Sequence, residues 1–85
     1  MPVRLLYFAW VREKLGLAEE TVSMPPSIVT VADLMAWLGT RGPEYLAVFS
    51  RVGIVRCAID QTHAQPLAEI AGAREIAFFP PVTGG

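Results

Sequence analysis

The sequence predicts a single α+β domain: a mixed sheet, one main helix packed on one of its faces, and an extended C-terminal tail. Three observations carry this. The apolar pattern runs strand, strand, helix, strand, short element, strand. One long helix cannot cover both faces of a sheet, so the layers are helix on sheet. Arg4, Arg56 and Glu75 mark one phase of their strands as solvent-facing, which leaves the other phase for the core. With 85 residues there is room for one domain, residues 1–79, followed by a tail at residues 80–85.

Residues 3–9 read as the first strand. Val3, Leu5 and Tyr7 share one face; Arg4, Leu6 and Phe8 share the other. Residues 10–16 suit a short helical turn ended by Gly16, and residues 20–24 a second strand stopped by Pro25-Pro26. The clearest helix follows Thr30, a good N-cap, with Asp33 near the positive helix end. Val29 and Leu34 hold the positions of a hydrophobic staple. Val31, Leu34, Met35 and Leu38 make one stripe, and Gly39 reads as the stop. Pro43 opens a second short helical piece whose apolar residues are Tyr45, Leu46 and Phe49.

Residues 54–59 form the next predicted strand, with Val55, Cys57 and Ile59 opposed to Ile54, Arg56 and Ala58. Residues 60–62 are a turn. Residues 66–70 fit either a short strand or a bridging turn. Residues 74–79 are the last strand, and Pro80-Pro81 ends regular structure. Arg4, Arg56 and Glu75 avoid burial, so Val3, Leu5, Tyr7, Val55, Cys57, Ile59, Ile76 and Phe78 face the helix. The opposite face then carries Leu6, Phe8, Ala58, Ala77 and Phe79. That is too apolar for a solvent face and predicts a docking surface.

Composition excludes several function classes. Hydrophobic residues make up 53% and charged residues 18%, so the chain is no disordered segment. Seven Lys+Arg against eight Asp+Glu argue against a nucleic-acid binder. One cysteine and one histidine rule out a disulfide framework, a Cys-cluster metal site and the usual His-based metal and triad sites. No apolar run reaches the ~20 residues of a membrane span, and the opening residues do not read as a signal peptide, which predicts a cytoplasmic domain with reduced Cys57. Cys57 reads as a small buried hydrophobe rather than a persulfide carrier. His63 reads as a surface residue of a polar loop, Glu19-Glu20 as a solvated strand start, and Trp10 and Trp37 as closing the core edge.

The tail is Pro80-Pro81-Val82-Thr83-Gly84-Gly85. Pro-Pro favours a stiff extended stalk, and six residues reach at most ~20 Å at ~3.3 Å each. Two glycines without side chains suit a narrow channel that brings a carboxylate to an active site. The run Phe78-Phe79-Pro80-Pro81-Val82-Thr83-Gly84-Gly85 resembles the C-terminus of the small subunits of molybdopterin synthase. Leu6-Tyr7-Phe8-Ala9-Trp10-Val11-Arg12-Glu13 is similar to that family's N-terminal pattern, and Ala58-Ile59-Asp60-Gln61 to its Val-Asn-Gln segment. Ala71-Gly72-Ala73-Arg74-Glu75 departs from the acidic turn usual there.

The resemblance implies a ubiquitin-like β-grasp and a sulfur carrier belonging to a sulfurtransferase. It implies that an E1-like, ATP-dependent adenylyltransferase adenylates Gly85, next to Gly84, and that a sulfur donor protein converts the adenylate to a thiocarboxylate. It implies a heterotetramer of two small and two large subunits, the large subunit holding the catalytic pocket in which the sulfur reaches a pyranopterin precursor. Phe8, Arg12, Phe79, Pro80, Pro81, Val82 and Thr83 are then the partner-binding residues, and the chain itself binds no cofactor or metal. The chemistry is reasonable on its own terms. A C-terminal carboxyl of pKa ~3.3–3.7 is an anion at neutral pH and a poor electrophile until it is activated. Two alternatives stand beside this: a carrier for thiamine thiazole synthesis or tRNA thiolation, and a β-grasp interaction module without tail chemistry.

Overall fold

The computed structural model describes residues 2–50 and 54–81. The elements are β1 (Pro2–Tyr7), α1 (Ala9–Leu15), β2 (Glu19–Ser23), α2 (Val31–Gly39), α3 (Pro43–Phe49), β3 (Arg56–Ile59), β4 (Thr62–Ala64) and β5 (Glu75–Phe79). The strands form one mixed sheet in the order β2-β1-β5-β3-β4. The central pair, β1 and β5, is parallel, and the others are antiparallel. This is the ubiquitin-like β-grasp, and the two chain ends of the sheet meet at its centre.

The alternation of β1 places Val3, Leu5 and Tyr7 in the core, as the charges of the opposite phase require. Ile76, Phe78, Val55 and Cys57 are buried on the same side, whereas Ile59 is only partly buried. Tyr7, Phe49 and Phe78 form an aromatic trio with ring centroids 5.0 to 6.5 Å apart. Val11, Leu34, Leu38 and Val48 close over them from the helices, and Trp10 and Trp37 pack against this core from its edge.

The N-terminus of α2 is satisfied completely. Thr30 Oγ1 accepts from the Asp33 N–H, and Asp33 Oδ2 accepts from the N–H groups of Thr30 and Val29, all at 3.1 Å. The N–H groups of Val31 and Ala32 donate to the carbonyls of Ala68 and Pro66 at 3.0 and 2.9 Å. Residues 66–70 are therefore a bridging turn with one isolated bridge, Thr30 to Glu69, rather than a strand.

Several expectations need correction. β1 stops at Tyr7 because Phe8 turns out as the N-cap of α1. Gly39 does not stop α2: it is the last helical residue, and Thr40 closes the helix with its hydroxyl donating to the Trp37 carbonyl at 2.6 Å. Val29 stays 49% exposed, so its side chain does not complete a staple. In α3 the buried side chains are Val48 and Phe49, and Leu46 is 57% exposed, because the C-terminal turn of this short helix faces the core. Asp60 and Gln61, at φ 48° and 71°, form a two-residue hairpin turn that leads into β4, a strand not expected from the sequence.

Glu20 is no solvated residue. Its Oε2 accepts from the hydroxyls of Tyr7 and Tyr45, both at 2.7 Å, and its Oε1 accepts from Arg41 at 3.1 Å. Arg41 lies between Trp37 and Tyr45, 5.4 and 5.2 Å from their ring centres. Burial, then the hydrogen bond to Glu20, push the Tyr7 phenol well above its ordinary range. Among the described residues, no helix is long and apolar enough to cross a membrane.

Candidate docking face and tail exit

The sheet face away from the helices is ordered in rows by the strand register. One row runs Arg4 beside Glu75 and Thr21. The next runs Glu19, Leu6, Ala77, Ala58, His63. Directly opposed residues of neighbouring strands share a face, so His63 stands on this outer face in β4. It is not in a loop, as its polar neighbours suggested. The third row holds Phe8, Phe79 and Arg56: Phe79 pairs with Arg56, and the Phe8 N–H donates to the Phe78 carbonyl at 3.1 Å, extending the parallel ladder.

The rows differ in chemistry. At the end away from the tail, charges neutralise each other. Arg4 contacts Glu75 at 2.8 Å and Glu19 at 3.7 Å. Towards the tail the face is apolar: Leu6, Ala77 and Phe79 are half-buried, and Phe8 is 48% exposed. Phe8 and Phe79 therefore lie on the outer face, and the phase deduced from Arg4 and Glu75 holds. Exposed aromatic rings of this kind are the usual anchors of interfaces.

Local backbone explains how Phe8 reaches this position. Phe8 is extended, at φ −125° and ψ 155°, and the next residue, Ala9, takes φ 54°. That left-handed residue costs about 1–2 kcal/mol outside glycine and turns the chain sharply from β1 into α1. The turn leaves the Phe8 ring on the outer face while Val11 enters the core. Arg12 follows on an exposed position of α1, and its carbonyl accepts from the N–H of Gly16 at 2.9 Å; Gly16, at φ 78°, ends α1 as expected. Pro80 and Pro81 are half-buried and continue directly from Phe79. Val82, Thr83, Gly84 and Gly85 lie outside the described residues.

The structure thus brings Phe8, Phe79, Pro80 and Pro81 to one end of the sheet, with Arg12 one helical turn from Phe8. Two neighbours were missed in the sequence, Arg56 and His63. The His63 ring lies edge-on to Phe79, with centroids 6.3 Å apart. The signal was present only in the pairing of β3 with β4. Cys57 lies on the inner face, and burial pushes its thiol up to about 12, which leaves almost no thiolate at neutral pH. It has no part in this face.

Comparison with known proteins shows the family and the fold. The model of the ThiS family matches residues 5–85. The molybdopterin synthase sulfur carrier subunit of Haemophilus influenzae is 30% identical over 98% of this chain and 99% of its own length. That of Mycosarcoma maydis is 33% identical over 98% of this chain and 92% of its own. Among solved structures, SAMP1 of Haloferax volcanii superposes with a TM-score of 0.73 at 25% identity, covering 100% of both chains.

Proposed function

The chain belongs to the ThiS family, and on that premise we propose that it is the sulfur carrier subunit of a molybdopterin synthase. The observation that carries this reading is the near full-length similarity to two curated subunits of that name. The geometry supports it. β5 runs without a break from the apolar docking face into Pro80-Pro81, so a partner seated on Phe8 and Phe79 lies beside the start of the tail.

The proposed chemistry belongs to Gly85. Its carboxylate attacks the α-phosphate of ATP in an E1-like adenylyltransferase and releases pyrophosphate. The terminal sulfur of a donor-protein persulfide then displaces AMP to give an acyl disulfide. A second thiol cleaves its S–S bond, which releases the glycyl thiocarboxylate and leaves a disulfide between the two thiols. The large synthase subunit takes in residues 80–85 and passes the sulfur to the pyranopterin precursor. This chain contributes the reactive end and the surface by which both partners recognise it. The acids, bases and nucleotide pocket belong to those partners.

Peptide mass spectrometry tests this directly. Trypsin cuts after Arg74 and releases residues 75–85, which contain no methionine. Oxidation of Met therefore cannot imitate the replacement of oxygen by sulfur in this peptide. After incubation with ATP, the activating enzyme and the sulfur donor, the sulfur should map to Gly85. A plain carboxylate under those conditions ends the carrier reading. Rescue of molybdoenzyme activity in a strain lacking its own carrier tests the pathway; rescue of thiamine-independent growth alone assigns the chain to thiazole synthesis instead.

A further inference from the structure

Among the described residues, Arg56 stands on the outer face without a counter-ion. Arg4, on the same face, contacts two carboxylates. Arg56 is exposed and makes no ion pair among the described residues, although the chain carries eight Asp and Glu side chains. Its neighbours sharpen the point. Arg56 is paired in register with Phe79, the half-buried aromatic of the docking face. Directly paired side chains lie ~4.5–5.5 Å apart at Cβ. His63 reaches the same ring from β4, across Ala58, which is too small to stand in its way.

This register has a physical consequence. Any partner that covers Phe79 also strips water from Arg56. Desolvating an unpaired guanidinium is strongly unfavourable unless the partner supplies an anion. A guanidinium fork is best met by a carboxylate, in bidentate geometry. We propose that Arg56 and His63, beside Phe79, form a carboxylate-binding subsite, and that it receives an acidic side chain on the rim of the partner pocket that holds Phe79. This rests on the sulfur-carrier reading, under which the occupant is the large synthase subunit. Arg56 adds to the apolar anchors an electrostatic term that speeds encounter and rejects partners with a basic rim.

Binding of the large subunit, measured by surface plasmon resonance over a salt series, separates the possibilities. The wild-type chain should bind. Arg56→Glu should slow association about tenfold at low salt, and the gap should shrink severalfold near 0.5 M salt, where charges are screened within roughly 4 Å. Arg56→Lys should recover part of the rate but not the full residence time, because an ammonium lacks the fork. His63→Ala should shorten the residence time about two- to fivefold with little change in salt dependence. The melting temperature of Arg56→Glu should stay close to that of wild type, since the Arg56 side chain makes no ion pair among the described residues. If Arg56→Glu binds like wild type, with the same salt slope, the subsite is refuted while the carrier reading stands. If wild type itself does not bind the large subunit, the carrier assignment fails and the subsite falls with it.

Discussion

Replacing Glu20 by alanine should destabilise this domain far more than the loss of an ordinary strand-end glutamate. One carboxylate oxygen accepts from two tyrosine hydroxyls at 2.7 Å, and the other from Arg41 at 3.1 Å. Tyr7 is 1% exposed, so without Glu20 its hydroxyl is a buried donor with no acceptor. That alone costs about 1–3 kcal/mol. Tyr45 can turn its hydroxyl to water, so its loss is about 0.5–1 kcal/mol. The Arg41 pair is partly solvated, with side chains 31% and 16% exposed, and is discounted to below about 1 kcal/mol. The expected total is about 3 kcal/mol, or a fall of roughly 12–24 °C in melting temperature for a domain of this size. Urea and thermal unfolding followed by circular dichroism measure it. Tyr7→Phe supplies the decisive control, because it removes the buried donor. In that background Glu20→Ala should cost about 1–2 kcal/mol less than in wild type. Strictly additive effects, or a single-variant shift below about 4 °C, would falsify the assignment of Glu20 as the acceptor that holds Tyr7.

Asp33 predicts an acid limb of stability. The backbone N–H of Thr30, then that of Val29, hold its carboxyl below the usual carboxylate range. A depressed folded pKa stabilises the fold above the unfolded value of ~3.9, and this contribution is lost as pH falls through the lower, folded value. Urea midpoints of wild type and Asp33→Asn should therefore differ at pH 7 and converge on acidification below about 4; an unchanged gap rejects the capping role. Cys57 should resist alkylation in the native state. With its thiol at about 12, the thiolate fraction near pH 8 is on the order of a thousandfold below that of the unfolded chain, and iodoacetamide labelling at matching native and unfolded rates would contradict its burial. Gln61→Gly should stabilise the β3–β4 hairpin by about 1 kcal/mol, since Gln61 sits at φ 71° where glycine carries no steric cost. A drop in the urea midpoint would show that the Gln61 side chain contributes more than its backbone strain.

The strand phase was legible because charges mark it. Arg4 and Glu75 cannot be buried, so Val3, Leu5, Tyr7, Ile76 and Phe78 must be, and Phe8 and Phe79 must lie outside. The helix N-terminus at Thr30 was legible because capping uses residues three positions apart. What escaped the sequence depends on residues distant along the chain. β4 is three residues long, too short for alternation to register, and it exists because β3 offers it an edge. Its turn needs two positive φ angles, and Asp60-Gln61 lacks the glycine that signals them. Glu20 reads as solvated because its partners lie 13, 21 and 25 residues away.

The docking face divides along the same line. Phe8 and Phe79 announce themselves by being apolar on a polar phase. Arg56 served in the sequence only as proof that its phase faces solvent. Register then sets it against Phe79, where being solvated is a property of the unbound chain alone. A charge that marks a face as exposed, once placed beside an anchor that must be covered, becomes a demand on whatever covers it. The proposed acidic rim of the partner rests on the pairing of β3 with β5 rather than on any local motif.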